Sequence, residues 1–312
     1  MFQVLNLNLK NKFFIIIKFF SFFLIIYLFY RFVSTENFLS TIREVPITNI
    51  FFIFVACLFH PILITLRWFI LLKNFSKIKF IDLLKNIVSG YSYSLILASG
   101  LVIDATKFIK IKKEIGSGNS LILVSIDKLI ALFFKITFML IFVIVYIYFY
   151  TQINLNYVLF TIFFLLSLIF LFYKIESVII LLFKKILKNK KSIDIELILR
   201  KIKKKIPSLV FANLAIQLLN TFIYFVIFLS LETSLTFLNA MIIVPIIDIL
   251  GQFSFIIFGM KEISTVFLLS FFNINNETAL AAALIYLFIE YLVIITLYSS
   301  LSLSKISLFK TK

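Results

Sequence analysis

Residues 120–150 read SLILVSIDKLIALFFKITFMLIFVIVYIYFY. Only Asp127, Lys128 and Lys135 carry charge in this stretch, and most of its other residues are Ile, Leu, Val, Phe and Tyr. About 20 mostly apolar residues are enough for a helix to cross the hydrocarbon core of a bilayer. The stretch therefore predicts a transmembrane helix that carries charges within it.

The composition of the whole chain leads to the same class of protein. Of the 312 residues 62% are hydrophobic and 14% are charged, whereas soluble domains average about 45–50% and about 25%. These values exclude a soluble enzyme, a disordered chain and a collagen-like chain. The formal net charge of +17 also suggests nucleic-acid binding. We exclude that function because the lysines alternate with long apolar segments.

Apolar segments recur along the chain and define its predicted organisation. Two of them, 87–105 and 237–272, are interrupted by Gly, Ser and charged residues. We predict an all-α polytopic membrane protein, one transmembrane domain over residues 1–312, with about six full spans and two re-entrant or broken helical hairpins. The predicted full spans are 13–33, 46–72, 120–150, 156–183, 208–230 and 277–303.

Loop charges predict the orientation, because Lys and Arg concentrate in cytoplasmic loops. Segment 184–207 has a net charge of +8, segments 73–86 and 106–119 have +3 each, and segment 34–45 has −1. We expect both termini in the cytoplasm, one hairpin entering from the cytoplasm and the other from outside. Paired interruptions in two halves are typical of inverted-repeat transporters. Two ordinary spans with glycine kinks are the alternative.

Residues 192–206, within the basic cytoplasmic loop 184–207, have an amphipathic pattern. Ile195, Ile198, Leu199 and Ile202 recur at helical spacing, with lysines on the other face. This pattern predicts a helix lying on the inner leaflet, where each Lys or Arg contributes about 1 kcal/mol of attraction to anionic lipids. Topological anchoring alone is the alternative interpretation of these lysines.

Ionisable side chains inside spans are costly and are therefore candidate functional groups. Lys binds phosphate as a compact charge, and half-helix N-termini add amide donors. Snorkelling of Arg67 to the interface and helix–helix hydrogen bonding along 213–224 are alternatives. The candidate substrate-binding residues are Arg67, Asp104, Lys107, Asp127, Lys128, Lys261 and Glu262. The candidate cavity-lining residues are Asn213, Gln217, Asn220, Asp248 and Glu290.

The sequence has none of the common catalytic motifs. It lacks a Walker-type phosphate loop, H-E-x-x-H, G-x-S-x-G and C-x-x-C. Cys57 is the single cysteine and His60 the single histidine, so a Cys-based or multi-His metal site is excluded. We expect no metal and no cofactor.

Four stretches resemble the transmembrane flippase-like domain of lysylphosphatidylglycerol synthases, the multiple peptide resistance factor type. The first is TLRWFILLK, with Arg67, and the second runs from Gly90 through ASGLVIDATK, with Gly100, Asp104 and Lys107. The third is VSIDKLIAL, with Asp127 and Lys128. The fourth is FGMKEISTVFLLSFFNIN, with Gly259 and Glu262, followed by ALAAALIYLFIEY. Their order and spacing cover residues 60–295. Met260-Lys261 stands where the family is expected to have a second glycine.

This resemblance implies a lipid translocase in the cytoplasmic (inner) membrane of a bacterium, one that moves a phosphate-bearing or aminoacylated lipid between leaflets. No synthase domain follows the last span before Lys312, so we do not expect aminoacyltransferase activity from this chain alone. Expected partners are membrane lipids and a separate synthase or glycosyltransferase. An accessory protein for polyprenyl-phosphate or envelope glycosylation is an alternative, as is a lipid-modifying membrane transferase.

Overall fold

The computed structural model of the chain describes residues 35–97, 101–150, 195–252 and 259–309. Within these ranges the chain forms α-helices and no strand, which confirms the predicted all-α class. In chain order the helices are α1 (Thr35–Arg43), α2 (Ile47–Leu72), α3 (Phe80–Leu97), α4 (Leu101–Ile115), α5 (Ser117–Tyr150), α6 (Ile195–Lys203), α7 (Ile206–Ser230), α8 (Phe237–Gly251), α9 (Met260–Ser270) and α10 (Asn276–Phe309).

Four of the described helices, α2, α5, α7 and α10, are long and apolar enough to cross a membrane. They confirm four of the predicted spans, and the other two, 13–33 and 156–183, lie outside the described residues. Large apolar side chains on these helices face outward, among them Phe51 at 63% exposure, Phe211 at 75% and Phe288 at 61%. A surface of this kind marks contact with an apolar environment, which for a polytopic protein is the lipid.

The two interrupted regions form pairs of shorter helices, as the sequence predicts. Helices α3 and α4 pack against each other, and so do α8 and α9. Gly90 allows the close approach of α3 to α4, since a Cβ placed there would lie 2.5 Å from Thr106 Oγ1 and 3.2 Å from Ile103 Cα. The side of the membrane from which each pair enters stays a prediction.

The helix packing repeats in two halves. In the first half α2 packs on α3, α3 on α4, α4 on α5, and α5 back on α2. In the second half the same succession joins α7, α8, α9 and α10. Between the halves α2 packs on α7, α5 packs on α8 and α7, and α10 packs on α3 and α2. Each half is therefore a long helix, a helical pair and a second long helix, which is the arrangement expected of an internal repeat.

Polar residues lie between two apolar cores. One core contains Trp68 with the first residues of α7 around Leu209, and the other contains Cys57 with Ile223. On α7 the stretch between Leu209 and Ile223 holds the buried polar residues of the 213–224 stripe. The described part of the bundle thus has an apolar end, a polar middle layer and a second apolar end.

Helix α6 corrects one prediction. Its residues Ile198, Leu199 and Ile202 are 4%, 8% and 5% exposed and belong to the same core as Trp68. They face protein, so the prediction that this apolar face lies on the inner leaflet is wrong for them. Burial of an apolar helix face against apolar protein side chains is favourable, and here residues such as Trp68 of α2 and Leu209 of α7 share the core with it. Lipid binding by the lysines stays a prediction.

Candidate functional site

Arg67 on α2 and Asp127 on α5 form the centre of a first polar cluster, which comprises Arg67, Asp104, Lys107, Asp127, Lys128 and Asn213. Arg67 Nε donates to Asp127 Oδ1 at 2.9 Å and Arg67 Nη2 donates to Oδ2 at 3.1 Å. Arg67 Nη1 donates to Asn213 Oδ1 on α7 at 3.1 Å. Arg67 is only 7% exposed, so it is held inside the protein and does not snorkel to the interface.

Two lysines complete the first polar cluster from α4 and α5. Lys107 Nζ donates to Asp127 Oδ2 at 2.8 Å, and Lys128 Nζ donates to Asp104 Oδ2 at 2.7 Å. Asp104 and Lys107 also form the i, i+3 ion pair that their helical spacing indicates, with Lys107 Nζ 3.9 Å from Asp104 Oδ1. Each finds a nearer partner on α5, because hydrogen bonds across the helix interface have better geometry than this i, i+3 contact.

The members of the first polar cluster differ in accessibility. The side chains of Lys107 and Asp127 are 4% and 3% exposed, whereas that of Lys128 is 39% exposed and that of Asp104 is 22% exposed. Arg67 and Lys107 both donate to the Asp127 carboxylate, and a buried carboxylate with two such donors is well compensated. The accessible charge of this cluster is therefore the Asp104–Lys128 pair.

A second polar cluster lies further along α5 and α7 and comprises Lys135, Asn220, Tyr224, Asp248, Lys261 and Tyr286. Lys135 Nζ is 3.1 Å from Asp248 Oδ2 on α8. Asn220 Nδ2 donates to the same oxygen at 2.9 Å. Asp127 and Lys135 are eight positions apart on α5, so the two clusters lie about 12 Å apart along the helix axis.

Lys261, in the first turn of α9, lies on two tyrosine rings. Its Nζ is 3.8 Å from the ring centroid of Tyr286 and 5.9 Å from that of Tyr224. The two rings are stacked, with centroids 4.7 Å apart and an interplanar angle of 13°. An ammonium over an aromatic face is attracted by the ring quadrupole, more strongly where water is excluded.

A small cavity adjoins the second polar cluster. It has a volume of about 20 Å³, room for about one water molecule. Its polar lining comes from Cys57 and His60 on α2, Tyr91 on α3, and Tyr286 and Glu290 on α10. The cavity thus joins residues of both halves.

Helix α7 connects the two clusters through its polar stripe. Asn213 accepts from Arg67 in the first cluster, while Asn220 donates to Asp248 in the second. Between them Gln217 is 4% exposed, and its Nε2 is buried without a partner among the described residues. Hydrogen bonding between helices, the alternative reading of this stripe, accounts for Asn213 and Asn220 but not for Gln217.

The structure therefore brings most of the candidate residues together. Two candidates, Glu262 in the first turn of α9 and Glu290 on α10, make no hydrogen bond or ion pair with another described residue. Gly100 of the second family-like stretch lies outside the described residues. Sequence reasoning left Lys135, Tyr91, Tyr224 and Tyr286 out of the site. The spacing of Tyr286 and Glu290 at i, i+4 was the signal that pointed to α10.

No group of His, Cys, Asp and Glu side chains in the described ranges has the arrangement needed to hold a metal ion. The carboxylates of the two clusters pair with Arg67, Lys107, Lys128 and Lys135 instead. The arrangement suits binding of a charged group by salt bridges and hydrogen bonds.

Comparison with known proteins gives one match. The family model described as the lysylphosphatidylglycerol synthase TM region matches residues 15–297. No match was found among curated proteins or among solved structures.

Proposed function

The chain belongs to the family of the lysylphosphatidylglycerol synthase TM region, and we propose that it is a translocase that moves a phosphate-bearing or aminoacylated lipid between the leaflets of a bacterial inner membrane. Helices long enough to span a membrane support the membrane location. The loop charges support an orientation in which both termini lie in the cytoplasm.

One observation carries the proposal: charged groups from both halves form two clusters within the spans, about 12 Å apart along the bundle. A single charge at the middle of a span costs about 2.5 to 3.5 kcal/mol on insertion scales. A lipid headgroup crossing the membrane needs polar partners at more than one depth, and the clusters supply them.

The two clusters would serve the headgroup in succession. The accessible Asp104–Lys128 pair in the first cluster offers both a cation and a carboxylate to a lipid at the cytoplasmic side. The second cluster offers Lys261 on its tyrosine rings. The α7 stripe, with the unpartnered Gln217 amide, lies between them.

We further propose that the chain is not itself an enzyme and that a separate synthase or glycosyltransferase makes or uses its lipid. The lysines of the 184–207 loop would hold anionic inner-leaflet lipids. One alternative function is an accessory role in polyprenyl-phosphate or envelope glycosylation. A second alternative is a membrane transferase that modifies lipids.

The test is translocation of a fluorescent phospholipid in liposomes that contain only the purified protein. We expect the natural chain to translocate the lipid. We expect each of two variants, Asp104→Ala and Glu262→Ala, to lose this activity. Circular dichroism and elution volume confirm folding of each variant. Normal translocation by both variants would refute the site. Absence of translocation, together with co-purification of a glycosyltransferase, would favour the accessory role, and turnover of a lipid donor would favour a transferase.

A further inference from the structure

Lys261 differs from the other intramembrane cations of the described chain in having no carboxylate partner. Arg67, Lys107, Lys128 and Lys135 each lie within 4 Å of an aspartate oxygen. Within the described ranges Lys261 makes no ion pair, and its Nζ lies 3.8 Å from the ring centroid of Tyr286. A largely desolvated cation is costly unless an anion compensates it.

The two halves of the bundle place different residues next to their lysines. Lys107 is on the second helix of the first helical pair, and Lys261 is on the second helix of the second pair. Lys107 is neutralised by Asp127, ten residues after the first residue of α5. Tyr286 is ten residues after the first residue of α10, a helix of the same 34-residue length. Ten residues into the long helix that follows the helical pair, the first half thus has an aspartate and the second half a tyrosine.

The surroundings of Lys261 hold its ammonium in place without neutralising it. The stacked Tyr224 and Tyr286 rings lie beneath Nζ. A Cβ at Gly251 would lie 3.3 Å from Lys261 Cγ, so the end of α8 packs closely along the alkyl chain. Gly259, the N-cap of α9, has φ of 75° and offers no side chain to the first-turn N–H groups of the helix.

We propose that Lys261, seated on Tyr286 and Tyr224, is the binding site for the phosphate group of the translocated lipid, whereas Arg67 and Lys107 are structural cations. This inference rests on the proposed function for the source of the phosphate. The ammonium supplies the charge and three donors, the rings hold it by cation–π contact, and the residue remains partly accessible.

Two carboxylates act on Lys261 from a distance and set the strength of the site. Asp248 and Glu290 both influence the lysine electrostatically, but neither lies within ion-pair distance of it. Asp248 is engaged by Lys135 and Asn220. Glu290 lines the neighbouring cavity. Removal of the Lys261 charge should therefore weaken phosphate binding.

The experiment is equilibrium binding of phosphatidylglycerol to the full chain in neutral detergent, with diacylglycerol as the lipid that lacks the phosphate. We expect Lys261→Gln to weaken phosphatidylglycerol binding by about tenfold or more, as for loss of a charged hydrogen-bond donor. Lys261→Arg should retain binding. Tyr286→Asp should abolish it by supplying an internal partner, whereas Tyr286→Asn is the neutral control. Lys110→Gln, which removes an exposed cation of α4 outside both clusters, should have a small effect.

The outcomes separate this site from the proposed function. Equal binding by Lys261→Gln and the natural chain overturns the site, whatever translocation shows. Lys261-dependent binding without any translocation overturns the translocase and leaves the site standing. If inorganic phosphate binds in a Lys261-dependent way and the lipid does not bind, the site belongs to a soluble phosphate. That result would overturn the lipid as the source of the phosphate group. If Lys261→Gln does not fold, lipid binding by Tyr286→Asp is compared with that by Tyr286→Asn, since both variants keep Lys261. Equal binding by these two variants would overturn the site.

Discussion

Arg67 and Asp127 are sixty positions apart in the chain, yet the Arg67 guanidinium donates to both carboxylate oxygens of Asp127. This contact joins α2 to α5, and Lys107 joins α4 to the same carboxylate. Asp127 therefore holds together three helices of the first half. Such a residue contributes to stability mainly because its loss leaves buried cations unpaired.

We expect Asp127→Ala to destabilise the protein by about 3–5 kcal/mol, because both Arg67 and Lys107 lose their buried partner. The measurement is the free energy of unfolding from a denaturant titration in detergent. Lys128→Ala is the matched control. Loss of its partly exposed ion pair with Asp104 should lower the free energy of unfolding by only about 0–1 kcal/mol. Equal losses in the two variants would contradict the central position of Asp127.

Gly90→Ala should force α3 away from α4. The new Cβ would lie 2.5 Å from Thr106 Oγ1, and overpacking of this kind costs about 1–3 kcal/mol. Thr106→Ala should recover part of the loss in the double variant because it removes that oxygen. Thermal unfolding of the two single variants and the double variant measures the coupling. Purely additive effects would show that the two residues are not in contact.

Helix α6 should contribute to folding through its apolar side. We expect Ile202→Ala to lower the free energy of unfolding by about 2–5 kcal/mol, as for a buried isoleucine. Lys204→Gln, on the exposed side of the same segment, should leave stability unchanged and weaken retention of the protein on anionic vesicles. An Ile202→Ala variant of unchanged stability would restore the prediction that this face lies on lipid.

The opposite entry of the two helical pairs is tested by thiol labelling in intact cells. In a Cys57→Ala background, cysteines at Asn74 and Lys113 flank the first pair and cysteines at Ser234 and Asn275 flank the second. A membrane-impermeant reagent should label the second two directly and the first two only after permeabilisation, because basic loops face the cytoplasm. Labelling of Asn74→Cys and Lys113→Cys on opposite sides would make α3 and α4 an ordinary span.

The spans were predictable because length and hydropathy decide them. Residues 46–72 were expected as a span, and the structure has Ile47–Leu72. The partners of the charges were not predictable, since periodicity gives the face of a helix but not its neighbour. Asp104 and Lys107 have the spacing of a pair, yet Lys107 binds Asp127. The importance of Tyr286 came from a tertiary contact with Lys261 that no local pattern contains.

The most direct test of lipid translocation is the accessibility of inner-leaflet fluorescent phospholipid to an impermeant quencher, measured as the number of protein molecules per vesicle increases. The translocase account predicts that quenching extends beyond the outer-leaflet fraction in every vesicle that contains the protein, and that Asp104→Ala protein incorporated equally well does not produce it. Quenching confined to the outer leaflet at all protein densities, with intact folded protein in the vesicles, would contradict the account.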